Sequence, residues 1–358
     1  MKKNLYEKIK SFPPPNLKHL IYLTDDTGII QHAKYGIPDK ASGYCIDDNS
    51  RALIVILRYL ELMGNDPSID FKKLINIYLS YMLLSQKEDG QFHNFMSYDR
   101  NFLDEVGSED SFGRTIWTLG NLFSSNSNSN YRKLAQFIWE KANPWAEKIH
   151  STRAISYCLL GLSRNPENLE QIKLLSSHLE EAYQKNSSPG WEWYEPYLTY
   201  ANAKIPEALL NVYQLTGNKK TLSTAAESLD FLESAIFENG ILRLIGNKGW
   251  YMKGGKKAFF DEQPIDASSA VEAFALAYSI TGREDYLEKA ITAMEWFYGK
   301  NIIGVNLVES ENGACCDGFS SDGANHNQGA ESTIKYLLAR LAIKKLAKDE
   351  ESNIPKLV

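Results

Sequence analysis

The sequence predicts an all-α fold, a toroid of six helical hairpins, and three observations carry that expectation. Strand signals are scarce, and amphipathic segments with apolar residues at i, i+3 and i+4 dominate the 358 residues. Two kinds of helical segment alternate along the chain. One is charged with a single apolar stripe; the other is apolar nearly all round and rich in small residues. Finally, the loops leading into the second kind are crowded with carboxylates, aromatics, amides and histidines, whereas those leading into the first are ordinary turns.

Taken in order, residues 1–15 read as a flexible N-terminal extension of a single domain spanning 1–358. Either Leu5–Ser11 or Leu17–Leu23 can supply a sixth outer helix. The charged segments Phe71–Gln86, Tyr131–Lys141, Leu169–Tyr183, Lys220–Ile236 and Asp285–Tyr298 supply the other five. The apolar set begins near Asp48, Asp110, Ser151, Tyr200, Pro264 and Asn327, with Ser50–Leu62 and Ile265–Ser279 as its clearest members. These starts recur every ~40 to 65 residues, one hairpin plus a loop of variable length. Closing six hairpins into a ring gives each inner helix two inner neighbours and an outer layer. An open solenoid is the alternative, but its repeats are more uniform in length.

Composition narrows the function. The net charge is −6 and no Lys/Arg-rich run exists, which argues against nucleic acid and against an anionic membrane as partner. No apolar segment approaches the ~18–20 residues of a membrane span, and the N-terminus lacks the apolar stretch of a signal peptide. The four cysteines, Cys45, Cys158, Cys315 and Cys316, make no disulfide framework, and the adjacent pair lacks zinc-ligand spacing. Reduced thiols and a cytoplasmic location follow. Aromatics reach 12%, many of them in polar, glycine-containing loops, a distribution that suits a binding cleft. No metal or cofactor is required, since Asp25-Asp26 alone offers too few oxygens for calcium. Composition sets no oligomeric state.

Parallel inner helices would gather their N-termini at one mouth, and the unusual residues fall there. The first loops bring His32, Tyr44, Asp47 and Asp48, the second His93, Asn94, Glu109 and Asp110, with Arg114 one turn on. A short third loop holds His150 and Arg153. The fourth holds Trp191, Trp193, Glu195, Tyr200 and Asn202, the fifth Trp250, Gln263 and Asp266, and the sixth Asp317, His326, Asn327 and Glu331. Singly, Asp48, Asp110 and Asp266 suit helix caps or first-turn acids. Caps, however, do not require neighbouring Trp, Tyr, Asn and Gln. A helix N-terminus lowers a carboxyl pKa, which suits a base, and an adjacent acid raises it, which suits a proton donor; Asp47/Asp48 and Glu109/Asp110 offer such neighbours. Arg51, Arg114 and Arg153 recur in the first turns of three inner helices, positioned either to pair with those acids or to hold an anion.

These loops carry a resemblance. The whole chain resembles the six-hairpin, (α/α)6 glycosidase-like superfamily. The segments GYCIDDNSRAL, GSEDSFGRTIWTLG, WEWYEPYLTYANAKIPEAL and CDGFSSDGANHNQGAEST, with EQPIDASSAVEAF as a weaker fifth, look like a bacterial family often labelled glycosyltransferase-associated. The chain departs from that pattern at Pro196, where an acid is usual, and at Asp266, where Glu is common. The resemblance implies a carbohydrate substrate and acid/base carboxylates at the toroid mouth. No Gly-rich strand-turn-helix is present to hold a sugar nucleotide, so transfer from one is not expected.

The leading expectation is therefore a glycoside hydrolase acting on an oligosaccharide or glycan, with two carboxylates flanking the scissile bond. Asp110 and Glu195 are the first candidates, followed by Asp48, Asp266 and Glu331. Tyr44, Trp191, Trp193 and Trp250 would stack on sugar rings. His32, His93, Asn94, Asn202, His326 and Asn327 would bond hydroxyls, and Asp47, Glu109, Arg114, Tyr200, Gln263 and Asp317 would line the same mouth. Three alternatives stand beside it. A sugar epimerase or isomerase would use paired histidines from different hairpins. A glycoside phosphorylase would hold phosphate on the arginines. A non-catalytic glycan-binding domain associated with glycosyltransferases would bind sugar without product.

Overall fold

The computed structural model describes residues 2–125 and 127–353. In chain order its helices are α1 (Lys2–Ser11), α2 (Lys18–Leu23), α3 (Ile46–Met63), α4 (Phe71–Ser85), α5 (Glu109–Ser124), α6 (Ser129–Ala146), α7 (Thr152–Leu162), α8 (Leu169–Asn186), α9 (Lys204–Thr216), α10 (Lys219–Ile236), α11 (Pro264–Thr281), α12 (Glu284–Glu295) and α13 (Ala330–Asn353). Successive apolar helices pack on one another, α3 on α5, α5 on α7, α7 on α9, α9 on α11 and α11 on α13. Helix α13 then returns to α3, and the ring is closed. The charged helices α4, α6, α8, α10 and α12 each pack outside the inner helix that precedes them. This is the (α/α)6 toroid, not the open solenoid.

Local chemistry sets these elements. In α3, Ala52 through Ile56 are fully buried, so the helix is wrapped on every side and cannot be an outer one. Each such Leu or Ile contributes roughly 1.5–3 kcal/mol of burial. Helices α5 and α7 approach closest, because Gly120 and Gly161 face each other: a Cβ on Gly120 would lie 2.2 Å from the Gly161 carbonyl oxygen. Ser108 caps α5 by accepting from the Ser111 N–H, and Asp70 caps α4 through the Lys73 N–H. Gly217 and Gly282, both left-handed, end α9 and α11.

At the N-terminus, where the sequence allowed either a flexible extension or an outer helix over Leu5–Ser11, a packed helix stands. Helix α1 buries Leu5, Tyr6 and Ile9 and packs on α12 and α13, so it supplies the missing outer helix. Its apolar residues at i, i+1 and i+4 form the stripe that pays for this ordering. Arg340 of α13 holds the segment that follows, donating to the carbonyls of Phe12 and Pro13. The strands are two-residue pairs confined to the loops, among them Tyr44–Cys45 with Phe95–Met96 and Ala33–Lys34 with Ile37–Pro38. The four cysteines are buried and unpaired. Among the described residues no helix is long and apolar enough to cross a membrane.

Candidate active site

The loops before the inner helices meet in a continuous ring of contacts, so the six N-termini share one mouth. Arg114 of α5 reaches Asp47 of α3 at 2.9 Å. Glu109 at the start of α5 accepts from the N–H groups of His150 and Ser151, capping α7 from its neighbour. Arg153 of α7 bonds Glu195 and Asn202 of the loop before α9. Asp266 of α11 accepts from the Ala201 N–H at 2.6 Å. The Glu262 N–H donates to the Phe319 carbonyl, joining the fifth loop to the sixth. Arg51 of α3 closes the circuit on Glu331 of α13 at 2.9 Å.

A cavity of about 200 Å³ opens between the N-termini of α3 and α13. Its walls include His32, Asp47, Asp48, Asp317, Asn327 and Glu331, six of the expected site residues, together with Gln31, Cys45, Arg51 and Phe95. Arg51 is 1% exposed and divides one guanidinium nitrogen between Asp48 and Glu331, at 2.9 Å from each. The Cys45 thiol donates to the other Asp48 oxygen at 3.1 Å. Asn327 bridges His32, 3.0 Å from its Nδ1, and Asp317, at 3.4 Å, while its own oxygen accepts from the Ala33 N–H.

The carboxyls of this cavity are driven in opposite directions. Burial pushes Asp317 up to about 7, with the charges of Glu331 and Asp48 adding to the rise and the Asn327 amide opposing it. Burial also works against ionisation of Glu331, but Arg51, Arg114 and Lys335 outweigh it and hold Glu331 down at about 2. Its side chain nevertheless keeps 40% of its surface open to the cavity. Burial raises Asp48 as well, against the pull of Arg51.

The other expected residues lie elsewhere at the mouth or inside the wall. Asp110 does not line the cavity; it is held by Arg114 at 3.2 Å and by the Tyr200 hydroxyl at 2.9 Å. Glu195 is gripped by Arg153 at 2.8 Å and by the Thr152 hydroxyl at 2.7 Å. The Asp266 carboxyl is buried beside Asn202 and Ser269, with one oxygen unpartnered, and burial pushes it up to about 7. Tyr200 and Trp250 form a half-buried aromatic pair, and the Arg153 guanidinium lies against the Tyr200 ring. Gln263 precedes α11 without capping it.

Several expected sugar contacts are corrected. Trp191 and Trp193 are 4% and 0% exposed and pack on Phe231, so their faces meet protein and cannot stack on a ring in the mouth. Tyr44 is buried, its ring stacked on Tyr98 and its hydroxyl donated to Asp25 at 2.6 Å. His93 stacks on Phe102 and is tied to the Asp104 carbonyl, and Asn94 is buried. His326 is not among those corrected: it is exposed, with its ring stacked on Tyr35.

Charge also continues into the ring, which the sequence reading missed. Arg58, two turns or ~10 Å along α3 from Arg51, bonds Glu272 of α11 at 2.8 Å. Buried Lys204 of α9 bonds Glu272 at 2.9 Å and Glu207 at 2.7 Å. Helices α3 and α11 are not ring neighbours, so these side chains meet across the axis. Lys335, one turn beyond Glu331, is fully buried without a hydrogen-bond partner among the described residues, and burial and the nearby cations push its pKa well down. The available signal was a charged residue within an otherwise apolar inner helix.

Neither a family model nor a curated protein matches the sequence. Solved structures do. A sugar epimerase from a ruminal bacterium is 13% identical, with 97% of this chain and 98% of that one covered and a TM-score of 0.69. A cellobiose 2-epimerase from Bacillus thermoamylovorans is 12% identical, with 97% and 100% covered and a TM-score of 0.73. An α-1,6-mannanase of Salegentibacter sp., inactivated at two adjacent aspartates and bound to α-1,6-mannotriose, is 14% identical, with 96% and 99% covered and a TM-score of 0.58. This chain thus shares with these proteins the fold of a closed ring of six helical hairpins. At such identities the likeness extends to the fold and not to an activity.

Proposed function

We propose that this protein is a carbohydrate-active enzyme that hydrolyses a glycosidic bond in the cavity between α3 and α13. The observation that carries the reading is that two carboxyls in opposite settings line one cavity: Asp317 beside the Asn327 amide and Glu331 paired with Arg51, surroundings that push the first up to about 7 and hold the second down at about 2. Two acids forced apart in this way supply a proton donor and a proton acceptor at one pH. Asp317 gives its proton to the leaving glycosidic oxygen as the anomeric C–O bond breaks. Glu331 takes a proton from the water whose oxygen attacks that carbon. Arg51, fixed by Asp48, keeps Glu331 charged.

The mannanase of the same fold that is inactivated at two adjacent aspartates supports a role for Asp47 and Asp48, an adjacent pair on the cavity wall. Tyr200 and Trp250, half-buried across the mouth, are candidates for sugar contact. Asp110 and Glu195 take positioning roles in this account, because neither lines the cavity. Isomerisation by paired histidines fits less well: His32 lines the cavity, while His93 and His326 are stacked on other rings and His150 is not among its lining residues. Phosphorolysis fits less well too, since Arg51, Arg114 and Arg153 are each paired with acids. The buried, unpaired cysteines support a reducing, cytoplasmic setting.

The test is incubation with α- and β-linked manno- and gluco-oligosaccharides of two to four units, with and without phosphate, followed by chromatography. Shortened sugars are expected from the parent, and on the order of 10²–10⁴-fold less from Asp317→Asn or Glu331→Gln. An isomerised sugar, a product that needs phosphate, or saturable binding without product would each replace hydrolysis with a rival.

A further inference from the structure

Beside the cavity stands a short hairpin that the reaction above does not use. Ala33–Lys34 pairs with Ile37–Pro38, and Tyr35-Gly36 forms the tip. Tyr35 is 77% exposed, and its φ of 50° lies in the left-handed region that tyrosine seldom adopts. Folding gains little from burying this ring and carries the strain of its backbone. Gly36 also has a positive φ, 79°, as a two-residue hairpin turn of this kind requires, so the backbone accounts for the turn but not for a large exposed ring at its tip beside a cleft.

The hairpin is fixed, not loose. The Tyr35 N–H donates to the His326 carbonyl at 3.1 Å. The Ala33 N–H donates to the Asn327 side chain at 2.9 Å, and the Ala330 N–H to the Gln31 carbonyl at 2.9 Å. The Tyr35 ring stacks on His326, with centroids 5.0 Å apart and planes 26° from parallel. One face is therefore backed by imidazole and the other is left to solvent. Three residues before Tyr35 is His32, and next to His326 is Asn327, both on the cavity wall. On another part of that wall Phe95 is 42% exposed.

We propose that this hairpin is an outer sugar subsite. A further pyranose of the chain whose reacting unit sits in the cavity lays its C–H face on the open side of Tyr35. An aromatic ring with a polar edge suits such a surface, since the sugar presents C–H groups on one face and hydroxyls around its rim. The proposal rests on the glycosidase reading of the cavity and adds that the substrate is an oligosaccharide longer than two units.

The test compares the parent with Tyr35→Asn and Tyr35→Phe. Asparagine tolerates the left-handed backbone and keeps the hairpin while removing the ring. The readout is the ratio of kcat/KM for a four-unit oligosaccharide to that for the two-unit member of the same series, from the panel described above. Tyr35→Asn is expected to lower this ratio about 2- to 12-fold, the range for one aromatic contact, and Tyr35→Phe to keep it within about twofold of the parent. A parent that turns over both sugars with a ratio untouched by Tyr35→Asn would overturn the subsite and leave the cavity reading standing. A parent inactive on the whole panel would overturn both.

Discussion

Replacing Arg51 by Met tests how the cavity floor is built. The guanidinium is 1% exposed and lies 2.9 Å from both Asp48 and Glu331. Met keeps an unbranched stem of similar length and removes the charge. Asp48, itself buried, then keeps only the Cys45 thiol among these polar partners. Removing one partner of a buried ion pair costs about 3–5 kcal/mol, so the unfolding midpoint in urea should fall by about 1–5 M for a slope of about 1–3 kcal/mol/M. A second effect has the opposite sign for the acid. Glu331 is held at about 2 by Arg51 first, against the burial that opposes its charge. Without Arg51 its pKa rises, and as the proton acceptor it becomes protonated at a higher pH. The acidic limb of the pH–rate profile should therefore move upward in the variant while the basic limb, set by Asp317, moves less. Urea titration gives the first quantity and initial rates across pH give the second. A variant as stable as the parent, with an unmoved acidic limb, would refute the assignment of Arg51 as keystone of the site.

Further outcomes follow from the same geometry. In the parent, Asp317 must be protonated to act, and burial pushes it up to about 7; kcat/KM should fall as pH rises through about 7, and a flat profile from pH 6 to 9 would contradict its role. Glu262 is buried and pushed up to about 8, with one oxygen accepting from the Trp296 indole at 2.6 Å and the other unpartnered. The folded chain then binds a proton that the unfolded chain has lost, so stability should decline between the ordinary carboxyl value of about 4.5 and pH 8, and Glu262→Gln should flatten that decline in melts taken across pH. Gly120→Ala places a Cβ against the Gly161 carbonyl; overpacking of this kind costs about 1–3 kcal/mol, and an unchanged melting temperature would show that α5 and α7 can separate freely. Glu195→Gln loosens the Arg153 grip, and its main effect should be lost stability, with residual turnover measurable in the folded fraction.

Much of the ring was legible in the chain. The apolar character of α3 and α11 and the wet faces of α4, α8 and α10 follow from periodicity alone, and the expected boundaries of those outer helices lie within a few residues of the observed ones. Helix α6 runs on to Ala146 through Pro144, past the expected end at Lys141. The site was legible as a neighbourhood, since the acid-rich loops do meet. It was not legible as a set of roles, because sequence spacing does not say which carboxyl an arginine satisfies. Asp110 and Glu195, the first candidates by sequence, lie outside the cavity and pair with Arg114 and Arg153. Asp317 looked like one loop acid among several, and only three-dimensional burial beside Glu331 distinguishes it. Trp191 and Trp193 sat in a polar loop that turns out to fold inward onto Phe231.

The central claim, that Asp317 protonates the departing sugar oxygen, is tested most directly by leaving-group dependence in Asp317→Asn. A natural oligosaccharide needs that proton and a nitrophenyl glycoside does not. The variant should lose turnover of the oligosaccharide by on the order of 10²–10⁴-fold and retain most of its turnover of the nitrophenyl glycoside. Equal losses on both substrates, or no loss on either, would contradict the account.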